Sequence, residues 1–346
     1  MQAAANRRNN FDAIRLAAAL AVLWDHQHAL MGLPGPKALH NSYGGLAVAV
    51  FFAISGYLVA KSWLNDPHLL RFAWRRALRI WPGLIVAVLL SMFVLGPIAT
   101  QLPVADYLRH PQTWAYLKTL YLDVQFDLPG VFANNLSHSV NGSLWTIPIE
   151  VKCYIALAAL GVLGIWKYPA ASTVAFAAVI AYFARRYSSA ANPPLEWSFS
   201  LQYAAVFVLG MLFASYERFW RHRPWRAVLV LVPMLITLSW LHPVWRGQAP
   251  IWALGCAAII VGASSWPVLR DVGRFGDCSY GAYIYAFPVQ QCVLWLLGPG
   301  FSNFWLATGL SLVLTLLLAW ASWHLIEQPA LRLKPRNPSS TRPAQS

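Results

Sequence analysis

FDAIRLAAALAVLWDHQHALM, residues 11–31, is long enough to cross a bilayer as one helix, yet it carries Arg15, Asp25, His26 and His28. Ionisable groups inside a membrane segment are costly, and where they persist they usually line a path or a site. Arg15 and His26 stand eleven residues apart. Eleven steps of about 100° return to within roughly 20° of the start, so the two share a face, about 16 Å apart along the axis.

The surrounding chain identifies the solvent. Of 346 residues, 58% are hydrophobic and 11% charged, against roughly a quarter charged in a soluble domain. Apolar stretches of about 17 to 25 residues recur along nearly the whole length, which predicts an all-α, polytopic transmembrane helical bundle. Ten spans are expected, at about 11–30, 45–62, 78–99, 144–165, 168–184, 199–216, 226–241, 249–266, 278–297 and 304–325, each boundary good to a few residues. No polar, mixed-charge stretch is long enough to bury a core of its own. The expected organisation is a tail at 1–10, a membrane domain at 11–333 and a disordered tail at 334–346.

An even number of spans puts both termini on one side. With that side cytoplasmic, eighteen Lys and Arg fall in inner segments and six in outer loops, as the positive-inside rule requires. The net charge of +14 is therefore read as an inner collar and not as a nucleic-acid surface. Arg7 and Arg8 precede a retained first helix, because the polar residues break it and nine more spans follow. Cys153, Cys256, Cys278 and Cys292 have no paired spacing, so neither a disulfide framework nor a metal site is indicated. The loop from about 100 to 143 is the longest and is placed outside; its Trp114, Tyr116 and Tyr121 argue that it is ordered.

Topology then assigns depth. Counting from the outer ends of the first and fourth spans places His26 and Glu150 both roughly 6 to 9 Å beneath the outer surface. A neutral imidazole can take a proton from a hydroxyl, and a nearby carboxylate can fix its tautomer or balance the imidazolium. An interhelical hydrogen bond without function is the alternative. Asp25 lies about 100° from His26 around the helix, and both it and His28 are read as structural. At the other end, RFAWRRALRIWPG sets Arg71, Arg75 and Arg79 on one face with Arg76 beside it. Such a face suits a polyanionic ligand, since guanidinium forks grip phosphate oxygens, although arginine collars also contact lipid phosphates. Ser55 and Gly56 interrupt FFAISGYLVAKS and allow close approach of a helix or a ligand, while HLIEQP ends the last helix with Glu327 placed to pair with an arginine.

These pieces together resemble the acyltransferase 3 family of integral membrane acyltransferases. The resemblance runs from Phe11 to about Arg332. It rests on Arg15 and His26 in the R-x10-H pattern, FFAISGYL at 51–58, RRALRIWP at 75–82, GSLWTIPIE at 142–150, SYGAYIYAFPVQQ at 279–291 and HLIEQP at 324–329. The chain departs from many members at Ala286, where they carry His, and at GSL before Trp145, where a His often precedes the Trp. The resemblance implies that 11–333 is an acyltransferase domain in the inner or plasma membrane. It implies transfer of an acyl group, usually acetyl, from cytoplasmic acetyl-CoA to a hydroxyl on an exopolysaccharide, a lipopolysaccharide or another exported molecule. It also implies that His26 is catalytic and that Arg15, Arg75 and Arg76 are functional.

In the resulting scheme His26 is general base and Glu150 orients it. Arg75, Arg76 and Arg79 hold the donor's phosphates, Arg15 a polar part of its arm, and Ser55 and Trp145 border the substrate path. Direct transfer and a transient acyl-enzyme are both open. A transporter or flippase for a glycan or lipid-linked precursor is the rival, disfavoured by the lack of an internal repeat; a membrane scaffold leaves the polar residues unexplained.

Overall fold

A computed structural model describes residues 9–38, 41–189, 195–241 and 243–335. Of the two tails, 1–8 and 336–346 lie outside the described residues. Ten helices of at least sixteen residues follow one another: α1 (Phe11–Leu30), α2 (Tyr43–Asn65), α3 (Leu69–Leu90), α4 (Ile147–Val162), α5 (Pro169–Ser189), α6 (Leu195–Ser215), α7 (Trp225–Leu241), α8 (Pro243–Ala263), α9 (Ser279–Leu297) and α10 (Phe304–Ser322). A helix stands at each expected span, and the one strand pair among the described residues is the two-residue hairpin Lys37–Ala38 with Asn41–Ser42. Among the described residues, four stretches are long and apolar enough to cross a membrane: Tyr43–Asn65, Leu69–Ala99, Gly142–Val162 and Phe304–Arg332. A fifth candidate is the pair Gln248–Ala263 and Pro267–Arg274, bent by 80°. Polar residues 24–28 and Arg15 keep α1 off that count.

The core is organised around α2, which packs on α1, α4, α6 and α8. In lipid, helices associate through close backbone packing more than through the hydrophobic effect, and the contact with α6 shows it. A Cβ on Gly56 would strike the Phe207 carbonyl, and one on Gly210 the Ala53 carbonyl. We expect Gly56→Ala to lower the melting temperature of the detergent-solubilised protein by an amount matching about 1–3 kcal/mol of overpacking. Gly309→Ala, where an added Cβ meets nothing within 4 Å, should melt as the wild type does.

Contacts set a common ruler for three helices. Asp25 lies against Gly44, whose Cβ would come 2.5 Å from the carboxylate, and the Phe11 and Tyr57 rings are 5.6 Å apart, so α1 and α2 run antiparallel. Gln290 Nε2 donates to the Leu23 carbonyl at 2.8 Å while Arg15 reaches Asp277 at 3.0 Å, so α1 and α9 run parallel.

The segment expected as an outer loop is built into the bundle. Tyr107, Tyr116, Phe132 and Val140 are fully buried. Residues 135–141 then descend along α9. Asn135 Nδ2 donates to the Gln291 carbonyl at 3.0 Å, Gln291 Nε2 returns bonds to the carbonyls of Ser137 and Ser139 at 2.8 and 2.7 Å, and Asn141 Nδ2 donates to the Ile284 carbonyl at 2.8 Å. From Gln291 to Ile284 is about 10 Å along the helix. The fourth span therefore begins well below the level from which its depth was counted.

Candidate active site

A cavity of about 440 Å³ lies among α1, α2, α3, α4, α9 and the segment 323–334. It gathers six of the residues singled out from the sequence: Arg15, Ser55, Arg75, Arg76, Arg79 and Glu150. Five cationic side chains, counting Lys334, face three carboxylates, Asp12, Glu150 and Asp277, so the lining is net positive.

The arginines are not equivalent. Arg15 Nη1 and Arg79 Nη2 both donate to Asp277 Oδ2, at 3.0 and 2.7 Å, and Ser279 Oγ donates to Oδ1 at 2.5 Å. Burial alone would raise the Asp277 carboxyl, but the guanidiniums of Arg79 and Arg15 outweigh it and hold it well below the usual carboxylate range. Arg79 also lies 3.8 Å from Glu327. Arg71 and Arg75 share a second carboxylate, Asp66 at the end of α2, with closest approaches of 2.5 and 2.6 Å. Hydrogen bonds from Arg71 foremost, and from Arg75, hold Asp66 well below the usual carboxylate range. The cationic face expected on α3 is thus partly compensated by shared carboxylates, and Arg71 is not among the residues lining the cavity.

What remains open is specific. Arg75 keeps Nε and Nη2 buried without a hydrogen-bond partner, and Arg76 keeps Nε so. The Arg76 guanidinium lies 5.9 Å from the Phe72 ring centre and 5.8 Å from that of Tyr154. Beside it, Ser55 Oγ donates to Glu150 Oε1 at 2.7 Å, and the Tyr154 hydroxyl donates to the same oxygen.

His26 and Trp145 lie elsewhere. His26 packs edge-on against Phe287, ring centres 5.2 Å apart, and its Nδ1 is buried without a partner. Trp145 sits in an aromatic cluster with Phe199 and Tyr203, at 5.7 and 5.9 Å. The matched depth of His26 and Glu150 is corrected by the helix ruler. Gly44 is level with Asp25, Ser55 is eleven residues further along α2, and Ser55 bonds Glu150; that puts Glu150 about 16 Å from the level of His26 and beside that of Arg15. Glu150 is therefore a partner of Ser55 and Tyr154. The residues missed from the sequence are Asp66, Asp277, Tyr154 and Tyr283. The signal for the carboxylates was electrostatic: four arginines entering an apolar bundle need counter-charges.

An arginine-lined cavity within a bundle of apolar helices has the charge and enclosure that a polar, anionic molecule would suit. The chemistry follows from kinship: the model of the acyltransferase domain family, acyltransferase 3, matches residues 8–324, and the chain belongs to that family. It is an acyltransferase. It is 33% identical over 341 residues to the O-acetyl transferase of Shigella phage Sf6, covering 93% of this chain and 96% of the relative. It is 28% identical over 357 residues to nodulation protein 10 of Rhizobium leguminosarum bv. viciae, covering 94% of each. No solved structure matches the chain. Among the described residues no three His, Cys, Asp or Glu side chains are grouped to hold a metal ion.

Proposed function

We propose that the protein is a multi-pass membrane O-acetyltransferase, with ten spans and both termini cytoplasmic, that moves acetyl from acetyl-CoA to a hydroxyl of an exopolysaccharide, lipopolysaccharide or other exported glycan. The reading rests on one observation above the others: buried guanidinium donors of Arg75 and Arg76 that line the cavity have no partner. Buried donors without partners call for an explanation, and an anion entering with the donor supplies one. The adjacent phosphates of acetyl-CoA suit Arg75 and Arg76, while Arg15 and Arg79, already shared by Asp277, shape the wall. The pantetheine arm then covers the roughly 16 Å from the level of Arg15 to that of His26. The name of the Shigella phage relative supports acetyl as the group transferred.

At the far end His26 acts as general base. As the acceptor oxygen attacks the thioester carbonyl, the C–O bond forms and the C–S bond breaks. The hydroxyl proton passes to His26 and from it to the departing CoA thiolate. Glu150 belongs to the donor end, where it holds Ser55 and Tyr154 beside Arg76.

In inverted membrane vesicles supplied with labelled acetyl-CoA, label should enter the polysaccharide fraction. Arg76→Ala should raise KM for acetyl-CoA about tenfold to a hundredfold, the loss of one or two charge-assisted bonds, with kcat kept at saturating donor. No label in any glycan, or an unchanged KM in both Arg75→Ala and Arg76→Ala, would overturn the assignment.

A further inference from the structure

We propose that Phe287 seals the donor cavity from His26 and thereby sets the length of acyl group the enzyme transfers. The proposal rests on the O-acetyltransferase reading above.

Towards His26, the residues lining the cavity end at Val48, Thr146 and Tyr283. Tyr283 donates its one hydroxyl proton to the Ser143 carbonyl at 2.9 Å, so its oxygen accepts from Thr146 Oγ1 at 2.7 Å. That pair ties α9 to the start of α4. One turn further along α9, the Phe287 ring covers His26 and fills the recess left by Gly142, where a Cβ would fall 2.6 Å from the ring. Phe287 is 7% exposed. A thioester coming from the arginine end must pass this ring to reach the imidazole.

Reaction geometry then fixes what Phe287 touches. The attacking oxygen lies about 2.6–3.2 Å from His26, and the thioester carbonyl about 3–3.5 Å from that oxygen. The acyl carbons therefore stand within about 7 Å of His26, in ground that the Phe287 ring borders. A methyl group fits there with a small rotation of the ring. A longer chain requires the ring to leave. With no arm inserted, the same ring keeps water from the path and so limits hydrolysis of the thioester.

The test uses the full-length protein in nanodiscs, with acetyl-CoA and butyryl-CoA as donors, measuring thiol release without acceptor and acyl transfer with acceptor. Phe287→Ala should raise acceptor-free thiol release about tenfold, and the butyryl-to-acetyl transfer ratio about tenfold or more, since even one of the two added methylenes commands about 10–200-fold in an apolar pocket. Phe287→Leu, which keeps most of the volume, should shift both in the same direction by less. Gly142→Ala, which presses the ring towards His26, should lower transfer while acetyl-CoA still binds. A folded Phe287→Leu or Phe287→Ala protein with wild-type thiol release and wild-type chain-length ratio would refute the seal. If the wild type itself transfers no acetyl, the parent reading fails instead.

Discussion

His26→Ala loses between about 10²- and 10⁴-fold of acetyl transfer, the share a positioned general base supplies, while acetyl-CoA binds as tightly as before. The second half of that expectation comes from geometry. His26 is not among the residues lining the arginine cavity, and it stands about 16 Å along α1 from Arg15 at the cavity's arginine end. A residue that only glued helices would change folding and donor binding together. Single-turnover transfer and calorimetric titration of acetyl-CoA, run on the same preparation, separate the two effects. A well-folded His26→Ala protein with full transfer activity would remove His26 from the mechanism. Loss of donor binding in step with transfer would mean that the imidazole supports the cavity and not the chemistry.

Asp277→Ala destabilises the fold by about 3–5 kcal/mol, the cost of removing one partner from a buried charge cluster. Its carboxylate is 13% exposed and is the closest acidic partner of both Arg15 and Arg79, from two different helices. Without it, the two guanidiniums share a low-dielectric wall with only Glu327, 3.8 Å from Arg79, as a nearby acidic partner. Asp277→Asn keeps an acceptor and should lose less. The pH dependence has a definite sign. The folded carboxyl is held below its unfolded value, so its contribution is complete above the unfolded carboxylate range near about pH 4 and is lost as pH falls through the folded value. Thermal unfolding in detergent should show the wild type losing stability below about pH 4, and Asp277→Asn losing less over the same interval. Equal acid sensitivity in both proteins would assign the acid response to other groups.

The ten helices were legible because apolar runs near twenty residues announce themselves. The shared face of Arg15 and His26 was legible for a related reason, a regular period: the structure turns both towards the ninth helix, through Asp277 and Phe287. The arginines of the third helix were visible as a charged face, but not their commitment. Asp66 and Asp277 stand in connections between helices, and only the tertiary arrangement brings them to the guanidiniums. The pairing of His26 with Glu150 failed on depth. It was measured from an assumed outer end near residue 144, whereas the Gly142–Thr146 turn already lies at Tyr283. Residues 135–141 have neither helical nor strand period, so nothing in them announces a descent into the bundle.

That descending segment also constrains how the chain is assembled. Asn135 and Asn141 find their partners 156 and 143 residues later, in a helix that follows eight other long helices along the chain. Irregular backbone is tolerated at membrane depth only where protein or water covers it. Until the ninth helix arrives, the carbonyls of Ser137 and Ser139 lack the Gln291 amide that later caps both. The first half of the enzyme is thus completed by its last quarter, and a chain halted before residue 279 lacks the helix against which residues 135–141 are held.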